Sequence, residues 1–243
     1  MITNKFEYVK CSRSTVEGTR HYTLPDGSRV PSVTTILSAT QTQEKKQVLK
    51  DWRARVGEAK AQTIVTEAAG RGTKMHKFLE DYVLTGKLAD RGNNPFSWSS
   101  HAMAQTVIDQ GLTNVNEYWG VEAALYYPGV YAGTTDLVGV HNNEPAILDF
   151  KQSNRWKKED WIDDYKLQLC AYAEAHNKVH DTKIEKGVVL MAVKPKLNEQ
   201  TMEIIEPPKY QEFIVQGNDW NHWRGKWWER VEQYYEKMRL GQL

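Results

Sequence analysis

The chain has 243 residues and a near-balanced charge, 32 Lys and Arg against 31 Asp and Glu, with 40% hydrophobic residues and two cysteines. That length suits one α/β domain with a sizeable core and is too short for such a domain fused to a nucleotide-driven motor, for which no phosphate loop is present either. Cys11 and Cys170 are too few and too far apart for a zinc knuckle or an iron–sulfur cluster, and no run approaches the roughly 18 apolar residues of a membrane span.

Residues 1–10 carry Glu7 and lack both an apolar stretch and an Arg-rich amphipathic pattern, so no signal or transit segment is expected and a cytoplasmic setting is. Residues 6–30 predict a small hairpin around Pro25-Asp26-Gly27, after which Ser32-Val33-Thr34 caps a first helix. Residues 43 to 69 read as helix with a break near Gly57, and 72–84 as a separate helix that Gly86 ends. The polar stretch 89–100, with Gly92, Asn93, Asn94 and Pro95, reads as a loop and a candidate lid, followed by a short helix near 101–110. Strands are predicted at 117–127, 131–140 and 145–151, the last two joined by a turn at Asn142-Asn143. A helix at 159–177 leads to an apolar, β-branched strand at 187–193, buried on both faces, and a further strand at 201–205.

In the tail, Trp220, Trp223, Trp227, Val231, Tyr234 and Met238 recur at helical spacing, the stripe of a terminal helix docked on a core. Trp228 and Tyr235 fall off that stripe and are candidate surface contacts. The fold class is therefore α/β, a mixed central sheet flanked by helices. One domain is expected over 1–243: a hairpin and helical elaboration at 1–70, a core at 71–206, and C-terminal helices from 207.

The chemistry concentrates on the predicted hairpin. Asp136 closes Gly133-Thr134-Thr135-Asp136, and Asp149 and Lys151 lie in Ile147-Leu148-Asp149-Phe150-Lys151 on the neighbouring strand. A carboxylate in an apolar strand costs roughly several kcal/mol unless it is paired or metal-bound. Two hard carboxylates suit Mg²⁺ or Mn²⁺, one ion or two. Lys151, two residues from Asp149, projects from the same face and can reach a metal-held water, the arrangement that phosphodiester cleavage needs. His76 and Glu80 share one helix face, and Gln168 and Tyr172 share another. The near-neutral net charge hides three basic clusters: Lys45, Lys46, Lys50, Arg53 and Arg55; Arg71, Lys74 and Lys77; and Arg155, Lys157 and Lys158. Two of them adjoin the acidic residues in sequence, where they could meet phosphates.

In that order, Gly-x-x-x-His at Gly72 and His76, Gly-x-x-Asp at Asp136, Asp-x-Lys at Asp149 and Gln-x-x-x-Tyr at Gln168 resemble the RecB-type branch of the PD-(D/E)xK nucleases. The likeness extends to the mitochondrial genome maintenance exonuclease family and its phage and bacterial relatives, through Ser32 and Thr34, Trp52 and Arg53, Glu80, Glu122, and Gln152-Ser153. It spans roughly residues 25–240, and no catalytic position of the pattern is missing. The resemblance implies a restriction-endonuclease-like fold, Asp136, Asp149, Lys151, Gln168 and Tyr172 as catalytic residues, and His76, Asp136, Asp149 and the Phe150 carbonyl around the metal. His76 is then a metal ligand or a phosphate contact, with Glu80 orienting it. Gln168 and Tyr172 hold the catalytic strand and contact the substrate backbone, and Glu122 shapes the acidic pocket. Ser32, Thr34, Arg53, Arg71, Lys74, Ser153, Arg155, Lys157 and Lys158 are the expected substrate contacts.

By resemblance the substrate is DNA, single-stranded and entered from a free end, cut by a monomer with no membrane partner in a bacterial or phage-infected cell. Other readings are a double-strand exonuclease, a structure-specific endonuclease, or a non-catalytic nucleic-acid-binding or replisome subunit. In the last case one of the three central residues should have been lost, and none is.

Overall fold

The computed structural model describes residues 2–3, 5–16 and 18–243; Met1 and Glu17, which fall in the leader and hairpin readings, lie outside the described residues, as does Asn4. Strands β1 (Ser12–Val16), β2 (Thr19–Thr23) and β3 (Arg29–Pro31) make a small antiparallel sheet. The β2–β3 turn falls on Pro25-Asp26-Gly27, where Asp26 Oδ1 accepts from the Ser28 amide and hydroxyl. Ser32 caps α1 (Val33–Ala39) by accepting from the Thr35 amide. Helix α2 (Gln43–Val56) stops at Gly57, whose φ of 89° few L-residues adopt.

Helix α3 (Glu58–Thr85) corrects the expected split near 70: it runs unbroken through Gly70 and Gly72 to its Gly86 cap. Gly72 is there for closeness, since a Cβ would sit 3.3 Å from Gln152 Cγ on the sheet beneath. The lid expected over 89–100 is also corrected. Asn94 caps α4 (Pro95–Gln110) and Pro95 starts it, so half of that stretch is helix; Asn-Pro acts here as a helix start, where proline's missing N–H costs nothing.

Four long strands follow: β4 (Val115–Tyr127), β5 (Tyr131–His141), β6 (Glu144–Ser153) and, after α5 (Asp163–His180), β7 (Lys186–Val193). The β5–β6 turn uses Asn142 and Asn143, both at positive φ. Because α5 carries the chain across one face, β6 and β7 are parallel, whereas β4–β5 and β5–β6 are antiparallel. Every residue of β7 is buried, as its uninterrupted apolar run requires. The strand expected at 201–205 instead forms a separate ribbon, β8 (Lys196–Leu197) with β9 (Ile204–Glu206). Where only helix was expected from 207, β10 (Lys209–Gln216) pairs antiparallel with β7 and completes the sheet order β10-β7-β6-β5-β4. Its buried positions alternate, Gln211, Phe213 and Val215, but one of the three is polar, which obscures the period of two.

The terminal helix α6 (Gly217–Arg239) buries Trp220, Trp227, Val231 and Tyr234, while Met238 is half exposed. Trp228 and Tyr235, expected at the surface, dock as well: Trp228 Nε1 donates to Glu174 at 3.0 Å and the Tyr235 hydroxyl donates to the Val130 carbonyl. Helices α1, α5 and α6 pack on one face of the sheet with Val138, Ile147, Val189 and Met191; α3 and α4 pack on the other with Leu137, Leu148, Phe150 and Leu190. Each fully buried aliphatic chain in these layers contributes about 1.5–3 kcal/mol. On β6 the alternation sends Ile147, Asp149 and Lys151 toward α5, and Leu148, Phe150 and Gln152 toward α3. Among the described residues no helix is long and apolar enough to cross a membrane.

Candidate active site

The ladder between β5 and β6 runs from His141↔Glu144 to Leu137↔Leu148 and stops. Beyond that last pair the strands part, and Asp136 and Asp149 stand where the next pair would be. The Phe150 amide points into the gap, and Asp136 Oδ2 accepts it at 2.7 Å. A side-chain carboxylate thus replaces a strand carbonyl and is held rigidly in place. An extended residue turns its N–H and C=O to the same side, so the Phe150 carbonyl faces this gap too.

On the other side of β5, Val121↔Leu137 and Ala123↔Thr135 remain paired, while Glu122, opposite Asp136, adopts a left-handed φ of 47°. Such a conformation costs a non-glycine residue roughly 1–3 kcal/mol and persists where the surroundings impose it. His76 reaches in from α3, its Nδ1 3.1 Å from Asp136 Oδ1 and its ring edge-on to Phe150. His76, Glu122 and Asp136 each offer a donor atom within 4.8 Å of the other two. That spread is about twice a metal–oxygen bond of ~2.0–2.6 Å.

Electrostatics separate the two aspartates. Burial pushes Asp149 up to about 6, against the pull of Lys151 and with a push from the Asp136 charge. Burial acts the same way on Asp136, but the His76 hydrogen bond and charge, Lys151 and the Phe150 amide hold it below the usual carboxylate range. Burial alone would depress His76 and Lys151; the Asp136 bond raises the first, and the Asp149 and Asp136 charges raise the second. Glu122 is raised, chiefly by burial and then by the Asp136 charge. Asp149 and Glu122 are thus raised although Lys151 and His76 stand beside them, and two carboxylates and an imidazole in reach of one point fit a hard divalent ion.

Lys151 is fixed on three sides. It is ion-paired with Asp149, donates to Gln168 Oε1 at 3.3 Å, and lies 5.1 Å over the Tyr165 ring. Gln168 in turn donates from Nε2 to the Tyr172 hydroxyl at 2.9 Å. Tyr172 is buried, so it cannot touch the backbone of a substrate as expected; it anchors Gln168. Gly133 explains itself here, because a Cβ would lie 2.6 Å from Tyr172 Cε1. Tyr165 lines the pocket and escaped the sequence reading, although it shares the helix face of Gln168 and Tyr172 at steps of three and four. Glu122 was legible only through family resemblance, since nothing in its neighbourhood marks a turned-in carboxylate.

The remaining expected contacts divide. Glu80 lines the pocket but bonds Lys77 at 3.3 Å; among the described residues it makes no hydrogen bond to His76, against expectation. Arg71 donates to Gln152 Oε1 at 3.0 Å and to Asn154, clamping α3 to the end of β6, and Lys74 is exposed one turn on. Ser153 is buried and donates to the Arg155 carbonyl at 2.6 Å, so it shapes the turn after β6 and is closed to a ligand. Ser32 is likewise buried as the α1 cap, and the exposed Thr34 bonds it and borders a different hollow. Arg53 pairs with Glu58 and faces a hollow shared with Lys46 and Lys50, outside the pocket lining. Arg155 and Lys158 stack over Trp161 at 4.6 and 5.6 Å, and Lys157 is half-buried with its amide donating to Gln211.

A splayed central hairpin presents Asp136 and Asp149-Phe150-Lys151, faced by a histidine from a flanking helix, and so brings together the residues on which the sequence resembles the PD-(D/E)xK nucleases. Among curated proteins, the chain is 25% identical over 223 residues to mitochondrial genome maintenance exonuclease 1 of Homo sapiens, an alignment covering 86% of this chain and 59% of that protein. Similar solved structures include a Eubacterium rectale protein provisionally assigned as an exonuclease (11% identity, 73% of this chain and 69% of that chain, TM-score 0.47). A phage-related exonuclease from Haemophilus somnus gives 12% identity over 87% of this chain and 96% of that one, with a TM-score of 0.38. No protein-family model matches the chain.

Proposed function

We propose that the chain is a Mg²⁺- or Mn²⁺-dependent exonuclease that hydrolyses phosphodiester bonds of DNA from free ends, preferring single strands, and acts as a monomer. The observation that carries this reading is the gap at the ends of β5 and β6, which brings Asp136 and the buried Asp149 beside an anchored lysine, a histidine and a strained glutamate, the last three lining one pocket. The likeness to a genome maintenance exonuclease supports the same chemistry.

Asp136, Asp149, Glu122, His76 and the Phe150 carbonyl are the groups that would hold metal. The bound ion supplies Lewis-acid neutralisation of the phosphoryl oxygens and acidifies a water. The chain's own residues do the rest. Phe150 N–H and His76 keep Asp136 ionised and aimed. Lys151, held by Gln168 and Tyr165, orients the attacking water or offsets charge on the five-coordinate phosphorus. A single general base contributes only about 10²–10⁴-fold, whereas enzymatic accelerations reach on the order of 10¹⁷-fold, so Lys151 assists and electrostatic stabilisation dominates.

Entry from a free end is what the family resemblance implies, and α2 is a segment available to enforce it. This helix buries no residue, and Lys45 near its start reaches Asp164 at 3.1 Å, next to Tyr165 of the pocket lining. A strand covered by α2 would have to thread. End-labelled linear single strands should be degraded with Mg²⁺ or Mn²⁺ and spared in excess EDTA, and covalently closed circles of the same sequence should survive. Turnover in EDTA would refute the metal chemistry. Rapid digestion of circles would move the assignment to an endonuclease.

A further inference from the structure

A groove of about 950 Å³ lies outside the pocket just described. It lies on the other flank of the same two turns of α3: Ala68, Ala69, Gly72 and Thr73 line the pocket, while Gly70, Arg71 and Lys74 line this groove. Its far wall is the turn after β6 and the β8–β9 ribbon. Two aromatic side chains stand in it with little cover, Phe96 at 70% and Trp156 at 56% exposure; Lys194 and Lys209 are exposed on its rim, and with Arg71, Lys74 and Lys196 they outnumber the lining acids Glu67, Glu199 and Glu206. An exposed Phe and an exposed Trp in one groove with cations match the chemistry of a strand that offers flat bases and phosphates.

We infer that this groove is a second binding segment for the substrate strand, in which unpaired bases stack on Trp156 and Phe96 while Arg71, Lys74, Lys194 and Lys209 meet its phosphates. The inference rests on the nuclease reading and adds to it the single-stranded character of the substrate at this segment. Base faces are hidden within a duplex, so an aromatic platform discriminates in favour of unpaired DNA. Gly70 marks the crossing. A helix-interior glycine costs about 1 kcal/mol relative to alanine, and at Gly70 nothing lies within 4 Å of where a Cβ would be, so packing does not account for it. What it does leave is a low point on the α3 ridge between pocket and groove.

The test uses the full chain carrying Asp149→Asn, so that binding is read without cleavage, with a 20-nucleotide oligothymidine and a duplex of equal length as probes. Phe96→Ala with Trp156→Ala should weaken single-strand binding by about tenfold or more, the effect of losing at least one base–aromatic stack, and leave duplex binding unchanged. Trp156→Phe should retain most of the affinity that Trp156→Leu loses, a contrast that a mere packing role would not give. Gly70→Leu, which raises helix propensity, should weaken single-strand binding without lowering Tm. Photocrosslinking of an iodouracil-substituted strand should map to Trp156 by mass spectrometry. Unchanged single-strand affinity with no crosslink at Trp156 overturns the groove while leaving the nuclease reading intact. Equal losses for single strand and duplex overturn the stacking. Failure of the parent protein to bind any DNA removes both.

Discussion

The β5–β6 hairpin carries buried charge at both ends, and the two ends treat it in opposite ways. At the closed end, beside the Asn142-Asn143 turn, the ladder is complete. There Lys186 is buried but donates to the His141 carbonyl at 3.1 Å and to Glu144 at 2.8 Å, and Tyr210 donates to Glu212 at 2.6 Å. The acids of that end are stabilised as anions: Glu144 is lowered by the Lys186 hydrogen bond, and Glu212 chiefly by His141. At the open end Asp149 has Lys151 and is nevertheless raised, because burial and Asp136 outweigh that one partner. At the closed end each of these acids has a basic partner that lowers it. The open end leaves carboxylates raised for want of counter-charge, a deficit that a bound cation would relieve.

If this contrast is right, mutations at the open end should cost activity, and those at the closed end stability. The largest effect is expected for Asp149→Asn and Lys151→Ala: a loss of about 10²–10⁴-fold in initial rate on a linear single strand, with DNA binding retained. A Lys151→Ala enzyme keeping more than about a tenth of the rate would remove that residue from the chemistry.

The second prediction sharpens the comparison through pH. Asp149 is an acid whose pKa rises on folding, so the folded state binds more protons than the unfolded state between the ordinary carboxylate value and about 6. Stability from this group is therefore present at low pH and lost as pH rises toward 6, on the order of 2–3 kcal/mol in total. Glu144 and Glu212, whose pKa values fall on folding, contribute with the opposite sign, their stabilisation being lost as pH drops through the carboxylate range. Metal should relieve the cost at the open end. Mg²⁺ is expected to raise Tm more at pH 8 than at pH 5, and an equal rise at both would mean that it binds elsewhere.

Smaller effects test the supports of each end. Gly133→Ala drives a Cβ against the Tyr172 ring and should cost about 1–3 kcal/mol, lowering the rate through Gln168 and Lys151 as well. At the closed end Lys186→Met should cost about 1–3 kcal/mol by removing the bonds to the His141 carbonyl and to Glu144, measured by urea unfolding, with specific activity unchanged. A Lys186→Met enzyme that is stable but inactive would break the division of labour between the two ends. Least of all, replacing Arg155 and Lys158 together should flatten the salt dependence of single-strand binding by about 1.4 in slope if both meet phosphates. An unaltered slope would show that stacking on Trp161 is their whole role.

Much of the closed end was legible in the chain. Asn142-Asn143 between two apolar runs predicts the turn, and the turn sets the register that makes Asp136 and Asp149 neighbours, because in a hairpin pairing is fixed by the residues that reverse the chain. Ser32 as a cap and the buried run of β7 were equally local matters of hydrogen bonding and apolar burial. The resemblance motif located His76, Lys151 and Gln168, whose partners in the fold are Asp136, Asp149 and Tyr172.

Tertiary structure decided the rest. Gly70 and Gly72 read as helix breakers in isolation, yet α3 continues through them because Gly72 lies against Gln152 and the sheet supports the helix. Local pattern cannot announce β10, whose ladder partner is β7 and whose buried Gln211 is satisfied by the backbone of Lys157. Nor does it show that β5 and β6 part after Leu137↔Leu148, that Glu122 turns left-handed opposite Asp136, or that Ser153 is spent on the turn after β6. Turns and caps are short-range and therefore written in adjacent residues. The opening of the ladder, the strain at Glu122 and the raised carboxylates arise from elements distant in sequence pressing on one another, and they exist only once the sheet has formed.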